Sequence, residues 1–107
     1  MNILFVCSQN RLRSPTAEAV FADYPGVEAS SAGTNTDADN PVSLDQIEWA
    51  DIIFVMEDTH RRRLKEMFSK VLKTKKVVVL GIPDRYSYMN PELVQLLKLR
   101  VCPHLRN

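Results

Sequence analysis

The chain has 107 residues, enough for one domain with one core and too few for two. With 45% apolar and 25% charged residues it has a globular composition, and a net charge of +1 (14 Lys and Arg against 13 Asp and Glu) excludes a global field that would draw it to nucleic acid or anionic lipid. Its apolar runs fall far short of the about 20 residues that span a bilayer, and no basic leader precedes them, so a single domain over 1–107, without a membrane segment, is expected in the cytoplasm.

Asn2 to Cys7 (NILFVC) is a nearly continuous apolar run that suits a strand buried on both faces. Ala17, Val20 and Phe21 then adopt helical spacing. Gly26 to Gly33 reads as a strand only from its context. Ser43 with Gln46 three residues later forms a capping box before Ile47 and Ala50. Asp51 to Met56 is a second apolar strand. Leu64, Met67, Phe68, Val71 and Leu72 mark one amphipathic helix. Lys76 to Leu80 is the last strand, and Asn90-Pro91 caps a helix whose Leu93, Leu96, Leu97 and Val101 face the core. Alternating strands and helices with right-handed crossovers predict an α/β fold: a small, doubly wound, four-stranded parallel sheet in the flavodoxin-like order 2-1-3-4, with helices on both faces.

In such sheets ligands bind beyond the carboxyl ends of the strands, at the switch point beside strand 1. Strand 1 leads directly into Cys7-Ser8-Gln9-Asn10-Arg11-Leu12-Arg13-Ser14-Pro15, with Pro15 expected at the first position of a helix. A loop of this length can turn its N–H groups inward as a nest for a tetrahedral oxyanion, beside the positive end of a helix dipole. Arg13 can bind two phosphate oxygens at once, and a Cys in such surroundings is favoured as thiolate. Nucleophile and anion site coincide.

These residues resemble the low-molecular-weight protein tyrosine phosphatase family, whose signature is a Cys-x5-Arg-Ser-Pro loop after the first strand. Thr16-Ala17-Glu18-Ala19, Ser30-Ser31-Ala32-Gly33-Thr34, Ala50 to Met56 and Asp84-Arg85-Tyr86 are similar to further family segments in the same order. The resemblance implies a short, bacterial-type member with the phosphotyrosine phosphatase I-like fold. It implies that Cys7 attacks phosphorus, Arg13 binds the equatorial oxygens, Ser14 stabilises the thiolate, and Asp84 is general acid and then base. Ser8, Gln9, Asn10, Arg11 and Leu12 would surround the substrate phosphate, with Asn10 left-handed and steadied by Ser31. Tyr86 would form an aromatic wall of the pocket. A phosphotyrosyl protein or small aryl phosphate is the implied substrate, a phosphate or sulfate ion the expected occupant of the loop, and no cofactor or metal is required.

Departures from the family pattern carry expectations of their own. Leu12 stands where members carry a second Cys, so peroxide is expected to drive Cys7 on to sulfinic acid. Gln9 replaces a Gly, Arg11 an apolar rim residue, Arg85 a Pro and Ser87 a Tyr. Arg11 is expected to favour acidic groups flanking the phosphate.

Competing functions find less support in the same residues. The basic run His60 to Arg63, with Lys65, Lys70, Lys73, Lys75 and Lys76, has no interleaved aromatics and reads as a solvated helix face and loop, so no nucleic-acid partner is expected. His60 and His104 lack metal-ligand spacing with Cys7 or Cys102. Trp49 reads as packing, Cys102 as a spectator, and the chain as a monomer. A Cys-phosphorylated phosphocarrier of a sugar phosphotransfer system would have to preserve its phosphocysteine, which Arg13 and Asp84 oppose. A thiol-dependent arsenate reductase needs resolving thiols near Cys7, and only Cys102 is available.

Overall fold

A computed structural model of the chain describes residues 1–105. Four parallel strands, β1 (Asn2–Cys7), β2 (Glu28–Gly33), β3 (Ile52–Val55) and β4 (Lys76–Val79), form one sheet in the order β2-β1-β3-β4. This is the predicted 2-1-3-4 topology. β1 pairs Cys7 with Gly33 on one side and Val6 with Val55 on the other, which sets its carboxyl end between the ends of two neighbours.

Strand side chains alternate between two cores. Ile3, Phe5, Cys7, Phe54 and Met56 pack beneath α1 (Arg13–Phe21) and α5 (Pro91–Val101). Phe5 stacks on Phe21 at 5.7 Å and on Phe54 at 5.4 Å between ring centres. Leu4, Val6, Ile53 and Val55 face α2 (Leu44–Trp49), α3 (Asp58–Met67) and α4 (Ser69–Leu72). Helices thus cover both faces, and the apolar runs of β1 and β3 are buried on both sides for that reason.

The sequence reading differs from the structure in three places. The helix expected across 64–72 breaks at Phe68, whose φ/ψ of −135°/43° is not helical, although its N–H still bonds Leu64 O at 2.8 Å. Phe68, Val71 and Leu72 still pack on the second core, while Met67 at the break stays exposed. α1 begins two residues before Pro15, so Pro15 is the third helical residue; its missing N–H falls among the first four, which have no helical acceptor. β2 starts at Glu28, because Gly26 is spent on a turn with φ of 75°. No helix among the described residues is long and apolar enough to cross a membrane.

Candidate active site

The loop between β1 and α1 curls at the carboxyl edge of the sheet, and three of its carbonyls are tied to the 34–39 segment. Thr34 N–H donates to Cys7 O at 2.9 Å, Asn35 N–H to Ser8 O at 3.0 Å and Asp39 N–H to Gln9 O at 3.0 Å. Leu12 O is taken by Thr16. Among the described residues, the N–H groups of Ser8, Gln9, Arg11 and Leu12 have no protein acceptor. Carbonyls tied to the 34–39 segment and amides left over are the pattern an anion nest would need. Gly33 allows the close approach: a Cβ there would lie 2.5 Å from Ser8 O and 2.6 Å from Ala38 Cβ.

Behind the loop, Asn10 is buried with φ of 57°, the left-handed conformation expected of it. Its main-chain N–H reaches Cys7 Sγ at 3.3 Å, and its side-chain Nδ2 donates to Ser14 Oγ at 2.9 Å. Ser14 Oγ also lies 2.9 Å from Cys7 Sγ. With the serine oxygen accepting from Asn10, its own hydrogen is available to the sulfur, and toward a thiolate Ser14 Oγ–H and Asn10 N–H are two donors that converge on Sγ. Asn10 and Ser14 therefore support the sulfur from behind rather than lining the pocket.

Arg13 is buried and held side-on. Its Nη1 donates to Glu57 Oε1 at 2.6 Å and to Ile82 O at 2.8 Å. That leaves the parallel Nε–H and Nη2–H, the edge suited to two oxygens of one phosphate. Asp84 Oδ1 stands 3.8 Å from Nε, and its side chain is 66% exposed at the pocket mouth. Cys7, Ser8, Gln9, Arg11, Leu12, Arg13 and Asp84 line a cleft of about 230 Å³. The structure thus brings together seven of the residues singled out from the sequence. Arg11, in the cleft lining, pairs through its Nε with Asp39 at 3.1 Å in an exposed ion pair.

Two expectations are corrected. Ser31 does not steady Asn10; its Oγ donates to Glu18 Oε1 at 2.5 Å, and the side chain that Asn10 contacts is Ser14. Tyr86 is no pocket wall: only 6% exposed, it packs in the core with Leu80, Ile82 and Leu93, with the Arg85 guanidinium over its ring at 5.8 Å. No aromatic side chain among the described residues lines the cleft.

Two residues of the site escape the sequence reading. Glu57 holds Arg13, and His60, which in the sequence belongs to a solvated basic face, is buried at 2% exposure. His60 Nδ1 accepts Glu57 N–H at 3.0 Å and Nε2 lies 2.9 Å from Ser8 Oγ. Burial, and then the Arg13 charge, hold its pKa below the usual 6.5, against the opposing pull of Glu57 and Asp84. The available signal was positional: Met56-Glu57-Asp58-Thr59-His60 leaves the carboxyl end of β3, the strand beside β1. Among the described residues, no group of three or more His, Cys, Asp or Glu is placed to hold a metal ion.

Comparison with known proteins bears on the fold. Residues 2–48 match the family model described as low molecular weight phosphotyrosine protein phosphatase. The fold is that of the low-molecular-weight phosphatases. The arginine phosphatase YwlE from Geobacillus stearothermophilus is 24% identical, with a TM-score of 0.77 over 97% of this chain and 92% of that one. A low molecular weight phosphotyrosine phosphatase from Vibrio cholerae is 19% identical, with a TM-score of 0.80 over 98% and 94%. The tyrosine phosphatase Wzb from Escherichia coli, solved in complex with phosphate, is 21% identical, with a TM-score of 0.76 over 96% and 94%. No curated protein sequence matches the chain.

Proposed function

We propose that the chain is a phosphatase acting on phosphorylated protein side chains through a phosphocysteine on Cys7. The observation that carries this reading is the convergence of Ser14 Oγ and Asn10 N–H on Cys7 Sγ, at the floor of a cleft that also holds the free edge of Arg13 and Asp84. In the first step Sγ attacks phosphorus, the bond from phosphorus to the leaving oxygen breaks, and the Asp84 carboxyl gives that oxygen its proton. In the second, the Asp84 carboxylate takes a proton from water as the water oxygen attacks phosphorus. The sulfur leaves as thiolate and inorganic phosphate departs. The loop amides and the Arg13 edge hold the equatorial oxygens in both steps, and the chemistry calls on no cofactor.

Phosphotyrosine is the first substrate to test, on the family resemblance. Phosphoarginine is the second, and a specific observation favours it: the cleft has no aromatic side chain to stack on a phenol, while Asp84 places a carboxylate in its lining for a guanidinium. Asp84 and the pinned Arg13 argue against a phosphocarrier, which must keep its phosphocysteine from water.

Turnover of p-nitrophenyl phosphate in EDTA tests the reaction. Activity that survives the chelator and is abolished in Cys7→Ser supports it, and no turnover between pH 4.5 and 8, roughly the working range of such acid–base pairs, refutes it. Phosphotyrosyl and phosphoarginyl peptides compared by kcat/KM then decide the substrate.

A further inference from the structure

Ser8 sits next to the nucleophile candidate, and its side chain is engaged from behind by a histidine. His60 Nδ1 accepts the main-chain N–H of Glu57, so in neutral His60 the proton is on Nε2. Burial favours the neutral ring by lowering its pKa from the usual 6.5. Nε2–H must therefore donate to Ser8 Oγ across the 2.9 Å contact. A hydroxyl that accepts on that side turns its own hydrogen elsewhere. Among the described residues Ser8 Oγ has no second protein partner, and Ser8 is half-buried in the wall of the cleft beside Cys7 and Arg13. Its carbonyl is tied to Asn35 N–H, so the residue cannot swing away.

We infer that His60 is a positioning residue which fixes the Ser8 hydroxyl as a hydrogen-bond donor to the phosphoryl group bound over Cys7. The inference rests on the phosphatase reading and adds to the main-chain amides a side-chain donor in the lining of the cleft. Glu57 links this donor to the other one: its N–H orients His60 while its carboxylate orients Arg13. One residue at the end of β3 thereby sets both side-chain donors, and a tetrahedral anion held by Arg13 meets the Ser8 hydrogen without reorganisation.

The test is a double-mutant cycle on the full chain, read by calorimetric titration with inorganic phosphate and by KM and kcat for p-nitrophenyl phosphate. Ser8→Ala is expected to weaken phosphate binding about tenfold, the worth of one hydrogen bond to a charged group. His60→Ala should do the same, Ser8→Ala/His60→Ala should be no worse than either single variant, and His60→Gln, which keeps an N–H donor, should recover much of the loss. The loss should fall on KM and phosphate affinity together, a pattern that general loosening of the fold would not give. Phosphate affinity unchanged in Ser8→Ala, or additive losses in the double variant, overturns the inference while leaving the phosphatase reading intact. A native chain that neither turns over substrate nor binds phosphate overturns both. Should His60→Ala fail to fold, the Ser8→Ala arm still decides, because Ser8 is only half-buried and its methyl analogue fits the same space.

Discussion

Gly33 is the position where one added carbon atom should cost most activity for least chemistry. It touches no substrate in the proposed reaction, yet a Cβ on it would lie 2.5 Å from Ser8 O, 2.6 Å from Ala38 Cβ and 3.1 Å from Asn10 N. Real Cβ atoms essentially never come within 3.0 Å of a neighbour, so the Cys7 loop or the 34–39 segment must retreat by at least about 0.5 Å, and backbone rather than a flexible side chain has to move. A displacement of about 1 Å in a positioned nucleophile costs on the order of 10²-fold in rate, so about half that distance implies roughly a tenfold loss of kcat in Gly33→Ala. Overpacking should also cost about 1–3 kcal/mol, a fall in Tm of several degrees for a domain of this size. The assay is kcat on p-nitrophenyl phosphate at a temperature where circular dichroism shows the variant folded. Adding Ala38→Gly removes one clash and leaves the Ser8 carbonyl clash, so Tm should recover in part while kcat stays low. Gly33→Ala with kcat within twofold of the native chain would show that the loop is not held by this contact, and the reasoning would fail.

Ser14→Ala removes the hydroxyl between Asn10 and Cys7 Sγ and should lower kcat about 10- to 100-fold, the worth of a hydrogen bond to a charged group, with KM little changed; an unaltered kcat would sink the assignment. Stability should fall with pH through His60. Its folded pKa is depressed, so the unfolded chain binds the proton more tightly, and stability present above pH 6.5 is lost as pH drops below that value. Tm measured from pH 7.5 to 5.5 should therefore decline less steeply in His60→Gln, and equal slopes would refute the point. Tyr86→Leu should lower Tm while leaving KM for p-nitrophenyl phosphate within about twofold, since the ring belongs to the core; a large rise in KM at unchanged Tm would return Tyr86 to the pocket wall.

What could be read from the sequence depended on whether a function was local in the chain. The strand run of residues 2–7 and the Cys7-to-Ser14 spacing are contiguous, and the left-handed Asn10 lies within that loop, although the partners that hold it, Gly33 and the 34–39 segment, do not. Sheet order came from alternation and handedness. Side-chain direction at a distance did not. Ser31 lies on β2, directly across from Phe5, yet its hydroxyl turns to Glu18 of α1, an acceptor 13 residues away that no local pattern identifies. Tyr86 lies two residues after Asp84, and their surroundings differ completely: Asp84 goes out to the cleft mouth and Tyr86 into the core.

His60 and Glu57 show the same limit from the other side. Within the run His60-Arg61-Arg62-Arg63, composition says only that the segment is basic. The helix period divides it: Arg61 and Arg62 pair with Asp58 on the exposed face, while His60 turns inward with Leu64, four residues on. What makes that inward position functional is the parallel pairing of β3 with β1, which sets the start of α3 beside the Cys7 loop. Glu57 then meets Arg13 across 44 residues of chain and His60 meets Ser8 across 52. A charge census counts Glu57 and Arg13 as cancelling. In the fold their pairing has the opposite consequence, because it spends Nη1 on the carboxylate and so turns the remaining guanidinium edge, with its charge, toward the cleft where an anion would sit.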